Sequence, residues 1–151
     1  MRSKLPVWTS PLFPGGAILF ITDFPEPTVG FIYEVEFNNG KKYIGRKALW
    51  HNYSLPPLKG KKRKRKRKRE SDWKTYYGSF KDEELRKEIA KGKIFPVKRT
   101  ILKRCSTNWE MTYYETKYLF ESDCLIKDEY YNGNILGRFY RPRLKDDTEL
   151  I

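Results

Sequence analysis

Gly30-Phe31-Ile32-Tyr33-Glu34-Val35-Glu36-Phe37-Asn38-Asn39-Gly40-Lys41-Lys42-Tyr43-Ile44-Gly45-Arg46-Lys47 is the stretch on which the fold turns. Its first half is β-branched and aromatic with period-two character. Asn38-Asn39-Gly40 is a turn, and Lys42 to Arg46 returns, so residues 30–47 read as a β-hairpin. Two registers fit. A two-residue Asn39-Gly40 turn pairs Phe37 with Lys42 and puts Tyr33 and Tyr43 on opposite faces. A three-residue loop with a left-handed Gly40 in a bulge pairs Phe37 with Lys41. Val35 then faces Tyr43, Tyr33 faces Gly45, and both tyrosines share a face with Lys47.

Downstream, residues 48–72 read as a loop, because Pro56-Pro57 blocks regular structure and the basic run after it resists collapse. Order returns at Trp73. Ser79 to Lys91 reads as a helix with Asp82, Glu83 and Glu84 in its first turn and Gly92 closing it. Phe95 to Leu102 reads as a strand. Thr107-Asn108-Trp109-Glu110 is a capping box that opens a helix running to about Leu125. Asn132-Gly133 and Gly137 mark turns. Upstream, residues 1–29 hold five of the nine prolines and read as an irregular arm around one short strand, Ala17 to Ile21. The whole is a small α/β (more narrowly α+β) unit with a mainly antiparallel sheet: an arm at 1–29, a body at 30–140 and a polar tail at 141–151.

The 151 residues suit one domain. No apolar run approaches the roughly 18 residues of a membrane span, so no membrane partner is expected. Net charge is +13, with ten of the 32 basic residues between Lys59 and Arg69; without these ten the excess falls to +3. A polyanion, nucleic acid first, is the natural partner of such a run. Two cysteines, Cys105 and Cys124, are too few for a disulfide framework or a cysteine zinc site and read as reduced thiols. His51 is the only histidine, which excludes two-histidine metal sites and zinc deaminases.

Glu115 is the most informative acid. On the second helix its neighbours at i−4 and i+4 are Met111 and Leu119, so its carboxylate points inward. A buried carboxylate needs a hydrogen bond, a counter-ion or a metal; which of these it has stays open at this level. Eleven tyrosines include Tyr33 and Tyr43 close to Arg46 and Lys47, and a cation beside a phenol favours the phenolate.

Phe31-Ile32-Tyr33, nine residues, Tyr43-Ile44-Gly45, then basic residues, a helical Glu115 and Asn132 resemble the GIY-YIG endonucleases over residues 30–135. Trp73-Lys74-Thr75-Tyr76-Tyr77-Gly78-Ser79 resembles small phage-encoded members. The resemblance implies a hydrolase that cuts DNA phosphodiester bonds with one divalent metal, Mg2+ or Mn2+, on Glu115. It implies that Tyr33 helps activate the attacking water, that Tyr43 supports that network, and that Asn132 completes the site. Tyr77 stands where relatives place a His or Tyr. Relatives carry the phosphate-binding Arg on a helix after the second tripeptide; here a proline-containing loop follows, and Arg46 and Lys47 are the nearest substitutes. Phe31 replaces the first Gly, with Gly30 one place early. A shared tyrosine face requires the three-residue turn, which is therefore the expected register, and the mechanism adds a phenolate-like Tyr33 whose pKa is lowered by Lys47 or Arg46.

The run Lys61-Lys62-Arg63-Lys64-Arg65-Lys66-Arg67-Lys68-Arg69 then has a role in sequence-independent phosphate contact. Trp73 and Tyr76, directly after it, either stack on bases or anchor the loop. Anchoring is the favoured reading, with Trp73 kept among the DNA-contact candidates. The rival class is a non-catalytic basic nucleic-acid-binding protein, which explains the charge but not the hairpin or Glu115. A nuclease of the Asp…Glu-x-Lys kind fits Glu115-Thr116-Lys117 only in part, since that motif sits on strands. After residue 140 too little remains for a separate DNA-reading domain, so a stand-alone nuclease is expected. Its location is expected to be cytoplasmic, that of the host if phage-encoded. The run also resembles a nuclear import signal, so localisation and oligomeric state stay open.

Overall fold

The computed structural model describes residues 5–11 and 16–142; the tail at Lys145–Ile151 lies outside them. Two short strands, β1 (Trp8–Thr9) and β2 (Ala17–Ile18), precede the long hairpin of β3 (Gly30–Phe37) and β4 (Lys42–Ala48). β5 (Trp50–Leu55) and β6 (Arg65–Glu70) follow, then α1 (Glu83–Ala90), β7 (Pro96–Cys105), α2 (Asn108–Glu121), β8 (Asn134–Ile135) and β9 (Phe139–Tyr140). The main sheet has the order β2-β1-β7-β3-β4 and is antiparallel except where β1 runs parallel to β7.

The long hairpin has the three-residue turn. Phe37 N donates to Lys41 O (2.8 Å), Gly40 N donates to Phe37 O (2.9 Å), and Gly40 has φ +83°. That left-handed conformation is cheap for glycine alone. Val35 pairs with Tyr43 and Tyr33 with Gly45. Odd positions of β3 enter a cluster with Trp8, Phe24, Leu49, Trp73 and Ile101. Ile32 enters the opposite cluster, where α2 packs through Met111 and Leu119. β3 is therefore buried on both faces at its centre.

Both helices start at side-chain caps. Thr107 Oγ1 accepts from Glu110 N (3.1 Å), while the Glu110 carboxylate accepts from the Ser106 hydroxyl (2.7 Å). The capping box thus reaches one residue further back than the usual reciprocal pair. Asp82 is an N-cap rather than a first-turn acid, its Oδ1 accepting from Glu84 N (3.0 Å), so α1 begins at Glu83 and not near Ser79. α2 ends at Glu121, short of Leu125, because Asp123 turns left-handed (φ 53°).

The arm and the loop both depart from expectation. Trp8 is buried and joins β7 through β1; its indole donates to Trp73 O (2.8 Å). The strand from Ala17 stops at Ile18, because Asp23 Oδ2 accepts from both Leu19 N and Phe20 N (2.9 Å each) and draws the chain into a turn. Residues 48–72 are not a loop: β5 and β6 form a two-stranded antiparallel ribbon. The charge run tolerates strand pairing because each cation faces a non-cation. Leu55, Ser54, Tyr53 and Asn52 stand opposite Arg65, Lys66, Arg67 and Lys68, so no like charges are directly opposed across the ribbon. Pro56-Pro57 lies just beyond β5, where it interrupts no ladder. Both cysteines are buried and free. Among the described residues no helix is long and apolar enough to cross a membrane.

Candidate active site

β4 is an edge strand, and its outward backbone groups are taken up by other segments in a way that places the site. Lys42 N donates to Glu129 O (2.7 Å), and Lys42 O accepts from Tyr131 N (2.8 Å). Ile44 N donates to Asn132 Oδ1 (3.0 Å), and Ile44 O accepts from Asn132 Nδ2 (2.7 Å). Ala48 O accepts from Ser71 Oγ (2.6 Å). At Arg46, between these, the backbone N–H faces the Glu115 carboxylate. An exposed edge is thereby blunted, and a carboxylate is brought against it.

Glu115 sits between Met111 and Leu119 on α2, as its spacing requires, with its side chain 21% exposed. Burial raises its carboxyl above the ordinary value, against the opposing pull of Arg46. The Arg46 guanidinium lies 3.7 Å from the carboxylate and donates to Thr112 Oγ1 (2.9 Å). It is half exposed, so one face of the guanidinium remains open to an anion.

On the other face of the hairpin, Tyr33 is 1% exposed, with its ring 6.2 Å from Tyr43 and 5.8 Å from Tyr76. Its hydroxyl lies over Gly45, where a Cβ would stand 2.5 Å from the oxygen. The glycine of the second tripeptide is thus the notch that admits the phenol of the first. Burial pushes Tyr43 up to about 12 and Tyr33 well above its usual value, and the Glu115 charge acts in the same direction on both. The expected phenolate is not what this arrangement favours. Lys47 shares the tyrosine face, but it pairs with Asp72 (2.5 Å) and sits over the Tyr76 ring (4.0 Å). Desolvation therefore outweighs any cation at Tyr33.

The family model described as "Putative endonuclease segE, GIY-YIG domain" matches residues 18–135. The chain belongs to the GIY-YIG family. No curated protein and no solved structure gives a match. Membership makes the chain an endonuclease and sets aside the reading of a non-catalytic binding protein.

Within this GIY-YIG domain the structure sets Arg46 and Glu115 on one side of the outer strand and Tyr33 and Tyr43 on the other, with Lys47 on the tyrosine side; the Glu115 charge reaches both phenols across the strand. Tyr77 lies against the same aromatic cluster, but among the described residues it is Tyr76 that makes the ring contact with Tyr33. The Tyr76 hydroxyl bonds Ser79 Oγ (2.6 Å). Asn132 is 4% exposed with both amide groups engaged by Ile44, so it fastens the strand between Tyr43 and Gly45 rather than facing a substrate. Trp73 is fully buried and donates to Glu70 Oε1 (2.8 Å), which removes it from the candidates for base stacking; it anchors the foot of the ribbon.

Two arginines escaped the sequence reading. Buried Arg99 donates to Pro6 O (2.7 Å) and Tyr76 O (2.9 Å), and burial lowers it to about 10. Arg141, assigned to the tail, donates to the carbonyls of Cys124 (2.6 Å), Tyr130 (2.7 Å) and Asn132 (3.1 Å). It holds the loop that carries Asn132. Both arginines bind backbone carbonyls, which leave no residue pattern to find.

Proposed function

We propose that this endonuclease hydrolyses DNA phosphodiester bonds at the outer edge of β4, with a divalent metal, Mg2+ or Mn2+, on Glu115. The observation that carries this reading is the pairing of a half-buried carboxylate with a half-exposed guanidinium, 3.7 Å apart, across β4 from the buried phenol of Tyr33 and the partly buried one of Tyr43. Among the described residues no three acidic, histidine or cysteine side chains cluster. One carboxylate suits a hard cation that keeps most of its water and takes further oxygens from phosphate. Such a metal, when bound, supplies charge against the phosphate and leaving oxygen.

The remaining work falls to the chain. Arg46 turns from Glu115 to hold the scissile phosphate. Tyr33, whose hydroxyl fills the notch over Gly45, and Tyr43 act as neutral phenols, each able to accept one hydrogen bond and donate another, and so orient a water beside that notch. Asn132 and Arg141 are positioning residues that keep β4 in place. Lys47 neutralises Asp72 and stacks on Tyr76, which leaves Arg46 as the phosphate cation. The basic ribbon holds DNA beside the site.

The test is cleavage of supercoiled plasmid by wild type and Glu115→Gln, with magnesium and with chelator. The variant should lose at least about 100-fold in rate, the scale of one electrostatic stabiliser removed, and keep its DNA affinity. Magnesium should raise the melting temperature of the wild type and not of the variant. Equal cleavage by both proteins would remove Glu115 from the mechanism.

A further inference from the structure

The ribbon sorts its two kinds of cation. Along Arg65-Lys66-Arg67-Lys68-Arg69 strand alternation sends the three arginines to one face and the two lysines to the other. The register completes each face. Leu55, Tyr53 and His51 stand opposite the arginines, and Ser54 and Asn52 opposite the lysines. On the arginine face His51 and Tyr53 are stacked (6.5 Å, 15°), with the Arg69 guanidinium 5.8 Å from the Tyr53 ring centroid. At the foot of the ribbon His51 and Arg69 share one cleft with Lys47 and Asp72, and with Trp50 and Glu70 of the opposite face, so the ribbon joins the body next to the hairpin that carries the site. The lysine face carries Lys68 over Trp50 (4.4 Å), towards Phe24 and Pro25 of the body.

We propose that the arginine face of this ribbon enters the major groove of duplex DNA and reads base edges, so that it selects where the neighbouring site cuts. This rests on DNA being the substrate. Two strands about 5 Å apart, with side chains on either side, match a groove about 12 Å wide, which admits a two-stranded ribbon. The guanidinium fork matches guanine O6 and N7 bidentately, whereas an ammonium is a point charge suited to phosphate. A ribbon serving charge alone gains nothing from segregating the two. The deep, narrow major groove of an RNA duplex would not admit it.

The experiment measures binding of the full chain, in chelator, to a pool of random-sequence DNA duplexes and to the duplexes selected from it. Charge-conserving R65K/R67K/R69K should keep the salt dependence of the wild type and lose at least about tenfold of its preference for selected duplexes. K66A/K68A should keep that preference and lower the salt slope by about 1.8, on the order of 0.9 per phosphate contact. An RNA duplex of the selected sequence should compete at least about tenfold more weakly. Undiminished preference in the arginine variant, or equal competition by RNA, would overturn the proposal. Plasmid cleavage by the same proteins separates the two readings. Sequence preference without cutting would sink the catalytic reading and leave the ribbon's role intact. Cutting with no change in preference would do the reverse.

Discussion

The hairpins β3–β4 and β5–β6 follow one another in the chain and are held by different means. In β3, Phe31, Tyr33, Val35 and Phe37 are each at most 1% exposed. In β6 every residue after Arg65 is exposed. The first hairpin is stabilised by burial on two faces and by an edge whose outward groups are engaged by Glu129, Tyr131, Asn132 and Ser71. The second relies on its ladder, cation–π contacts, the His51–Tyr53 stack, the Arg65 hydrogen bond to Pro56 O and the anchor at Trp73. An isolated two-stranded hairpin is marginal in water, and this one adds self-repulsion. The contrast teaches that the hairpin carrying Tyr33 and Tyr43 is built into the core on both faces, whereas the ribbon stands outside the core with little burial to stabilise it.

The hardest way to break the first half of the comparison is to fill the notch. Gly45→Ala would put a methyl 2.5 Å from the Tyr33 hydroxyl and 2.8 Å from its Cζ. A ring held by Trp8, Tyr43 and Tyr76 can withdraw only by displacing them. Overpacking of this kind costs about 1–3 kcal/mol, measured as a shift of the denaturation midpoint. Cleavage should fall more than stability, because Tyr33 moves. A variant as active and as stable as wild type would show that the notch is not what positions the phenol.

A smaller effect should appear in the ribbon. Its amides should exchange with deuterium faster than those of β3, because the ribbon opens without unfolding the core. Raising ionic strength from about 0.02 to 0.2 M shortens the screening length to under 10 Å and relieves the repulsion between cations. Exchange in 50–55 and 65–70 should slow, and exchange in β3 should not change. Salt-independent exchange in the ribbon would mean that its own contacts hold it.

The catalytic hairpin was legible because several signals agreed. Asn38-Asn39-Gly40 suits the bulged turn, Gly40 alone takes the positive φ cheaply, and Glu115 lies in register with Met111 and Leu119. The ribbon was not legible, since hydrophobic periodicity cannot report a strand with no buried face. Its order comes from which residue lies across each cation, a fact about pairing rather than composition. Tyr76 and Tyr77 show the same gap. Adjacent in sequence, they differ only in which ring the backbone before Gly78 (φ +126°) turns toward Tyr33. Asn132 was named only through the resemblance, as completing the site; that both its amide groups meet Ile44 on β4 is a fact of folding with no residue pattern to announce it.

The smallest effect sits at the joint between the hairpins, where Lys47 at the end of β4 pairs with Asp72 just after β6. The lysine side chain is 17% exposed and the aspartate 69%, so the pair is largely solvent-screened. Asp72→Asn should cost about 0–1 kcal/mol. The Lys47 ammonium holds the Asp72 carboxyl below its ordinary value. The contribution is therefore fully present above the unfolded pKa of about 4 and is lost as pH falls through the depressed folded value. Wild type and variant should converge there, and converge also at high salt. Binding should move the other way. Without Asp72, Lys47 is free to meet a phosphate, and the salt slope should rise by at most about 0.9. A variant that loses stability and gains DNA affinity confirms a joint that restrains a spare cation. One that loses both would place Asp72 in contact with the substrate and join the two hairpins into a single binding surface.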